Sequence, residues 1–231
     1  MSLTWGRLTG LVQLVVALVL AGCSSGGSLP DGDKLLQQAA TAMSAVKSIG
    51  FAIRSEGNPP ISVKSADGKL LQSGDATGTI QLNQAGQPVE MAFTLVGDTV
   101  YFKGATGGYQ KLPKATVLAV YDPSAILDPQ RGIVELLKTA TKPESEEKEK
   151  VGGQDAIRIK ATLSKSVVPA LVPGVTSDIT GGQIWVSAKD SRVLKVRVPI
   201  PKPDGGGTQG AVTVTFSDFN TNFTITAPAK G

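Results

Sequence analysis

Three patterns of hydrophobic and polar positions succeed one another along the chain. The first is an unbroken apolar run, Leu11 to Ala21, interrupted only by Gln13. It has the length of a secretory signal core and is too short to span a bilayer as a helix. The second pattern is helical. In Asp31 to Lys47, the residues Leu35, Leu36, Ala39, Ala40, Met43 and Val46 share one face. Asp31 or Asp33 can cap the start of this helix, and Gly50 stands where a stop signal belongs. The third pattern has a period of two. It predicts strands at Phe51 to Arg54, Ile61 to Ser65, Lys69 to Leu71, Ala76 to Asn83, Val89 to Gly97, Thr99 to Gly104 and Gly108 to Leu112. Asn58-Pro59-Pro60, Ala66-Asp67-Gly68 and Gln84 to Pro88 read as the breaks between them.

The middle departs from this rhythm. Tyr121 to Lys142 holds two Asp-Pro pairs, Asp122-Pro123 and Asp128-Pro129, and Asp before Pro is a standard helix start. Ile133, Leu136, Leu137 and Ala140 then form the apolar face of a second helix. The charge run Lys142 to Lys150 reads as a solvated loop without a role. Strands resume at Gly153 to Leu163, and Ser164 to Gly174 reads as a short helix. A hairpin turns at Asp190-Ser191, and Ala211 to Phe219 and Phe223 to Pro228 supply the last strands. Asp204 to Gly210 is a glycine-rich hairpin tip with no following helix to make a phosphate cradle. The order is one helix, five or more strands, helices, then five more strands. It predicts an α+β fold with one curved antiparallel sheet and helices against one face.

Composition removes several kinds of chemistry. There is no histidine, so the commonest general base, the Ser-His-Asp arrangement and most zinc sites are excluded. The net charge of +4 is small and scattered, which is no nucleic-acid footprint. No cofactor or metal is expected. Asp122 and Asp128 could be read as a catalytic carboxylate pair, but helix capping accounts for both. Ser44 and Lys47 match the S-x-x-K of penicillin-binding proteins, yet the companion Ser-Asp-Asn and Lys-Thr-Gly motifs are absent. The reading is that the chain is not an enzyme.

One cysteine remains, Cys23, where the first apolar run ends. Leu20-Ala21-Gly22-Cys23 resembles the bacterial lipobox, in which diacylglycerol is attached to the thiol and the signal is cut before it. One acyl chain binds a membrane only marginally, so two or three on Cys23 are needed for a stable anchor. The predicted organisation is a signal peptide at 1–22, an acylated N-terminus and flexible tether at 23–30, and a single domain at 31–231. The lipobox places the protein outside the cell, anchored to the outer face of the cytoplasmic membrane on the periplasmic side of the envelope.

Further landmarks follow in order. They are Leu35, Leu36 and Ala39; Ala76-Thr77-Gly78; Tyr121-Asp122-Pro123 with Leu127-Asp128-Pro129 and Gly132; Gly153 to Lys160; Ile184-Trp185-Val186; and Ser217-Asp218-Phe219. Together with Cys23 they resemble the mycobacterial lipoprotein family of LppX, LprA, LprF and LprG, from Leu35 to Pro228. Phe219 departs from the tryptophan often found at that place. The resemblance implies a curved antiparallel half-barrel with helices packed on its concave face, enclosing an apolar cavity, as in the LolA and LolB carriers. It implies cargo of multi-acylated lipid or glycolipid, of triacylglycerol or phosphatidylinositol mannoside type, carried toward the mycobacterial outer membrane. An alternative keeps the anchor without the cargo: a scaffold lipoprotein supporting a membrane lipid exporter. Alternation nominates Ile80, Leu82, Phe93 and Leu95 in the first half of the sheet as cavity residues. Ile157, Ile159, Val186, Val196 and Val198 are the candidates in the second half, and Leu36, Met43, Ile133 and Leu137 those from the helices. A plain hydrophobic core would contain every one of them; the resemblance, not the pattern, makes them candidates for lipid contact.

Overall fold

The computed structural model describes residues 28–84, 86–118, 122–172, 175, 181–202, 204 and 206–229. The signal run and Cys23 lie outside the described residues. Helix α1, Gly32–Ser44, opens the fold, and the Asp31 carboxylate accepts from the Lys34 amide at 2.9 Å as its cap. The first meander is β1 (Ser48–Gly57), β2 (Val63–Leu71), β3 (Ala76–Gln84), β4 (Gln87–Val96), β5 (Thr99–Lys103) and β6 (Gln110–Pro113). Helix α2 (Lys114–Leu118), a 3₁₀ helix at Pro123–Leu127 and helix α3 (Ile133–Thr139) make the crossover. The second meander is β7 (Thr141–Val151), β8 (Gln154–Thr162), helix α4 (Val168–Leu171), β9 (Gly182–Ser187), β10 (Val193–Pro201) and β11 (Thr208–Ser217).

All eleven strands join one antiparallel sheet in the order β6-β5-β4-β3-β2-β1-β11-β10-β9-β8-β7. The seam is β1, which pairs with β2 on one side and β11 on the other, so the two meanders share one curved surface. It is a half-barrel with helices on its concave face. There α1 packs on α3, β7 and β9, and α4 packs on the 3₁₀ helix. Leu36, Met43, Ile133, Leu136 and Leu137 meet Ile157, Ile159, Ile184, Val196 and Val198 in one closed core.

The structure corrects several expectations. Helix α1 ends at Ser44, and Gly50 lies inside β1 rather than at a stop. Ala66-Asp67-Gly68 is no turn but the middle of β2, where Gly68 faces Phe51 on one side and Gly78 on the other. A Cβ on Gly68 would lie 2.9 Å from the Phe51 ring, and one on Gly78 would lie 2.0 Å from the Asp67 carbonyl oxygen. Both glycines serve close approach of neighbouring strands. The charge run Lys142 to Lys150 is most of β7, an edge strand. Its polarity is what an exposed edge requires, since charge there discourages pairing with another chain. It also has a partner: Arg158 on β8 is bonded by Glu146, Glu147 and Glu149 at 2.8–3.0 Å. Phe223 to Pro228 forms no strand. Asp218 and Asn220 take left-handed backbone, and β1 beside them already has both edges filled. The tail instead holds the α1–β1 connection, through Lys47 N to Asn220 Oδ1 at 2.8 Å and Ser48 Oγ to the Thr221 carbonyl at 2.6 Å.

The two Asp-Pro pairs divide their work. Asp122 caps the 3₁₀ helix by accepting from the Ser124 amide at 3.0 Å. Asp128 does not start the second helix as expected. It closes the 3₁₀ helix and accepts from the Gln130 amide at 2.8 Å, while α3 begins after Gly132. Arg131 then bridges both carboxylates, at 3.0 Å to Asp128 and 3.2 Å to Asp122. The Gln130 amide, assisted by Arg131, holds the Asp128 carboxyl below the usual carboxylate range. That is the opposite of what a general acid needs.

Two predictions follow from this clasp. A Cβ at Gly132 would lie 2.0 Å from the Ala125 carbonyl oxygen and 2.3 Å from that of Ile126. Gly132→Ala should therefore cost roughly 1–3 kcal/mol or more. Gly108→Ala, which meets nothing within 4 Å, should stay within about 0.5 kcal/mol of the parent in the same denaturant titration. For Asp128, a pKa lower in the folded than the unfolded chain stabilises the fold above the ordinary value of about 3.9 and ceases to do so as pH falls through the folded value. Asp128→Asn should melt below the parent at neutral pH, with the gap closing in strong acid. A gap that persists in acid would assign the loss to packing.

Candidate functional site

The helices do not cover the sheet evenly. Over β7 to β11 the concave face is closed by α1, α3 and α4, but over β2 to β6 the cover is α2 and the 3₁₀ helix. A cavity of about 630 Å³ remains there. Its floor is built by strand alternation, which sends every second side chain to the concave face. Phe51 and Ile53 come from β1, Val63 and Ala66 from β2, and Ile80 and Leu82 from β3. Met91, Phe93 and Leu95 come from β4, Val100 and Phe102 from β5, and Leu112 from β6. Pro123 and Ile126 of the 3₁₀ helix form the roof, which is where the Arg131 clasp acts on the site.

Among the described residues, the lining contains no ionisable side chain. Its two hydroxyl residues, Ser62 and Thr116, are exposed and sit with Leu112 at the mouth. Leu95, Val100 and Ile126 are fully buried, whereas Ile80, Leu82, Met91, Phe93 and Phe102 are only half-buried where they border the cavity. Such a surface binds apolar matter by the hydrophobic effect, and it offers no group that could bind a metal or move a proton.

The thirteen residues nominated from the sequence therefore separate. Ile80, Leu82, Phe93 and Leu95 meet at the cavity wall. Ile157, Ile159, Val186, Val196 and Val198 are 0–5 % exposed and pack in the closed core, as do Leu36, Met43, Ile133 and Leu137 at 0–3 %. The sequence reading omitted Phe51, Ile53, Val63, Val100 and Phe102. Alternation in Phe51 to Ile53 and Thr99 to Lys103 carries their signal, since these residues fall in phase with Ile80 and Phe93. Met91 shares the alternation of Phe93 and Leu95 on β4, whereas Leu112 and Thr116 depend on where the crossover runs, and no local pattern marks them.

Elsewhere the surface is polar or engaged. A shallower, more open depression lies on the outer face, where Asp67, Lys69, Thr77 and Thr215 stand beside Phe51 and Ala52. The Ser44 hydroxyl donates to the Thr41 carbonyl at 2.8 Å, and Lys47, beyond the helix end, donates to Gln72 at 3.0 Å. The S-x-x-K pair is thus turned to other partners. Among the described residues, no cluster of acidic residues could hold a metal ion, and no helix is long and apolar enough to cross a membrane.

Comparison with known proteins agrees with this architecture. The LppX_LprAFG lipoprotein family model matches residues 31–225. The protein named lipoarabinomannan carrier protein LprG from Mycolicibacterium hassiacum is 30% identical over 236 residues, covering 96% of this chain and 98% of that one. Its namesake from Mycolicibacterium smegmatis is 28% identical over 227 residues, covering 94% of each. Among solved structures, LprF from Mycobacterium bovis superposes with a TM-score of 0.75 at 20% identity, covering 87% of this chain and 98% of that one. Lipoprotein LppX from Mycobacterium tuberculosis gives 0.61 at 19% identity, covering 86% and 100%. These two share the fold. The chain belongs to the LppX_LprAFG lipoprotein family, a family of lipoproteins and not of enzymes.

Proposed function

We propose that the protein is a lipid carrier of the cell envelope that takes the acyl chains of a multi-acylated lipid or glycolipid into its cavity and carries them toward the outer membrane. The observation that supports this most directly is a cavity of about 630 Å³ whose deep wall, among the described residues, is apolar. That volume falls in the range of ligand sites, roughly 300–1,000 Å³. Exposing an acyl chain of ~16 carbons to water costs on the order of 12 kcal/mol at about 0.8 kcal/mol per methylene. A multi-acylated lipid needs such shelter to cross an aqueous space. A sugar or phosphate head group gains no hydrogen-bond partner inside and would lose its own to water, so it stays at the mouth. Relatives named as lipoarabinomannan carriers support the glycolipid class.

Cys23 supplies the anchor in this reading, with two or three acyl chains holding the protein to the outer face of the cytoplasmic membrane. Replacing it should abolish attachment without touching the fold. The Cys23→Ala chain is expected to melt as the parent does and to leave the washed membrane fraction, as read by fractionation after removal of the signal. Persistence on membranes after a high-salt wash would count against the anchor.

Ile80 provides the sharper test of cargo. It is half-buried, on the concave face of β3, and borders the cavity. In a filled core Ile80→Trp would be overpacked and cost roughly 1–3 kcal/mol. Here the indole can project into free space. The variant should melt close to the parent and lose most of the lipid that co-purifies, by native mass spectrometry. A variant that melts far lower, or that keeps full lipid occupancy, defeats the assignment.

A further inference from the structure

We propose that the β5–β6 hairpin, Lys103 to Lys114, is the surface that seats the cavity mouth on a lipid bilayer bearing anionic head groups. This inference rests on the carrier reading, which gives the contact its purpose. The hairpin's β6 is one of the two free edges of the sheet, and Lys103 to Pro113 is a run of consecutively exposed residues. Among the described residues, the two exposed large apolar side chains are Tyr109 at 37 % and Leu112 at 41 %, and both lie on it. Leu112 also lines the cavity, so the exposed apolar surface is continuous with the cavity wall.

The charge pattern selects the occupant. From Thr99 to Tyr121 there are three lysines, Lys103, Lys111 and Lys114, and no acidic residue, in a chain whose charges otherwise nearly balance. All three tyrosines of the sequence fall in the same segment, at 101, 109 and 121. On the outer face Lys103 stands over the Tyr109 ring at 5.7 Å and Lys111 over the Tyr101 ring at 5.5 Å. The nearest carboxylates along the chain are Asp98 and Asp122, and Asp122 is held by Ser124 and Arg131. Tyrosine beside lysine is the pairing that suits the head-group layer. The ring sits at the apolar boundary, while the ammonium group reaches the phosphates and its stem covers apolar surface. Protein–protein interfaces, by contrast, are depleted in lysine. Lipid leaving a bilayer here passes Leu112 into the cavity without crossing water.

The test uses the full chain purified from membranes and reconstituted into phosphatidylcholine vesicles, with and without phosphatidylglycerol. A Tyr109→Trp reporter is read by quenching from brominated phosphatidylcholine against the parent protein, which reports its own Trp185. Quenching of the reporter should exceed the parent's several-fold when phosphatidylglycerol is present. It should fall toward the parent's in high salt, and also when Lys103→Glu and Lys111→Glu are added. These positions are exposed, so melting temperatures should not move. A reporter that brominated lipid never quenches beyond the parent, or quenching unchanged by charge reversal, overturns the proposal; a protein-docking hairpin would give that result. Co-purified lipid is measured separately by mass spectrometry. If the parent carries none, the carrier reading fails, while the quenching still decides the docking surface.

Discussion

An eleven-stranded apolar face has to be kept from water, and the helices of this chain are too few and too short to cover it. Helix α1 is 13 residues long and α3 only seven, and both lie over the half of the sheet that carries β7 to β11. There the core closes, with Ile159, Val186, Val196 and Val198 at 0 % exposure. Over β2 to β6 the cover is five residues of α2 and five of the 3₁₀ helix, which leave Ile80, Leu82, Phe93 and Phe102 half-buried around free volume. The cavity is a shortage of cover rather than a specially shaped pocket. A void lined only by apolar groups stays dry, so the unsatisfied surface keeps a standing attraction for acyl chains.

The same shortage explains what could be read from the sequence. Strand alternation named the concave face correctly at Ile80, Phe93, Ile157 and Val196, because alternation is a local property of the backbone. It could not tell lipid-facing from core-facing positions, because that depends on which helix lies above. Ile80 and Ile159 have the same local pattern and opposite surroundings. The misreadings have local causes too. Gly68 looked like a turn because glycine marks turns, but here it marks the crossing of Phe51 against β2. The run at Lys142 to Lys150 looked like a loop because edge strands drop the apolar alternation that identifies inner ones. Asp122 was legible as a cap since its partner amide is two residues away, whereas the role of Asp128 depended on where Gly132 let α3 begin.

The two free edges of the sheet have different neighbours. At β7 the Ser145 hydroxyl donates to the Pro30 carbonyl at 2.7 Å, and the Pro143 backbone presses against Gly32 at the start of α1. The chain leading back toward Cys23 thus leaves the fold at this edge. At the other edge β6 is exposed and borders the cavity mouth through Leu112. The start of α1 and the cavity mouth thus stand at opposite ends of the strand order.

The lining also sets what kind of selectivity the cavity can have. A site that hydrogen-bonds its ligand rejects an analogue lacking the matching group by a large factor, because its own buried polar groups are left unpaired. Among the described residues this cavity has no such group below its mouth, so these residues cannot penalise a head group they never touch. What it can sense is chain volume: each methylene that fits gains about 0.8 kcal/mol, and each that does not fit stays in water. Discrimination among lipids of similar acyl content therefore falls to the exposed rim, where Ser62, Thr116 and the hairpin lysines are the polar groups within reach.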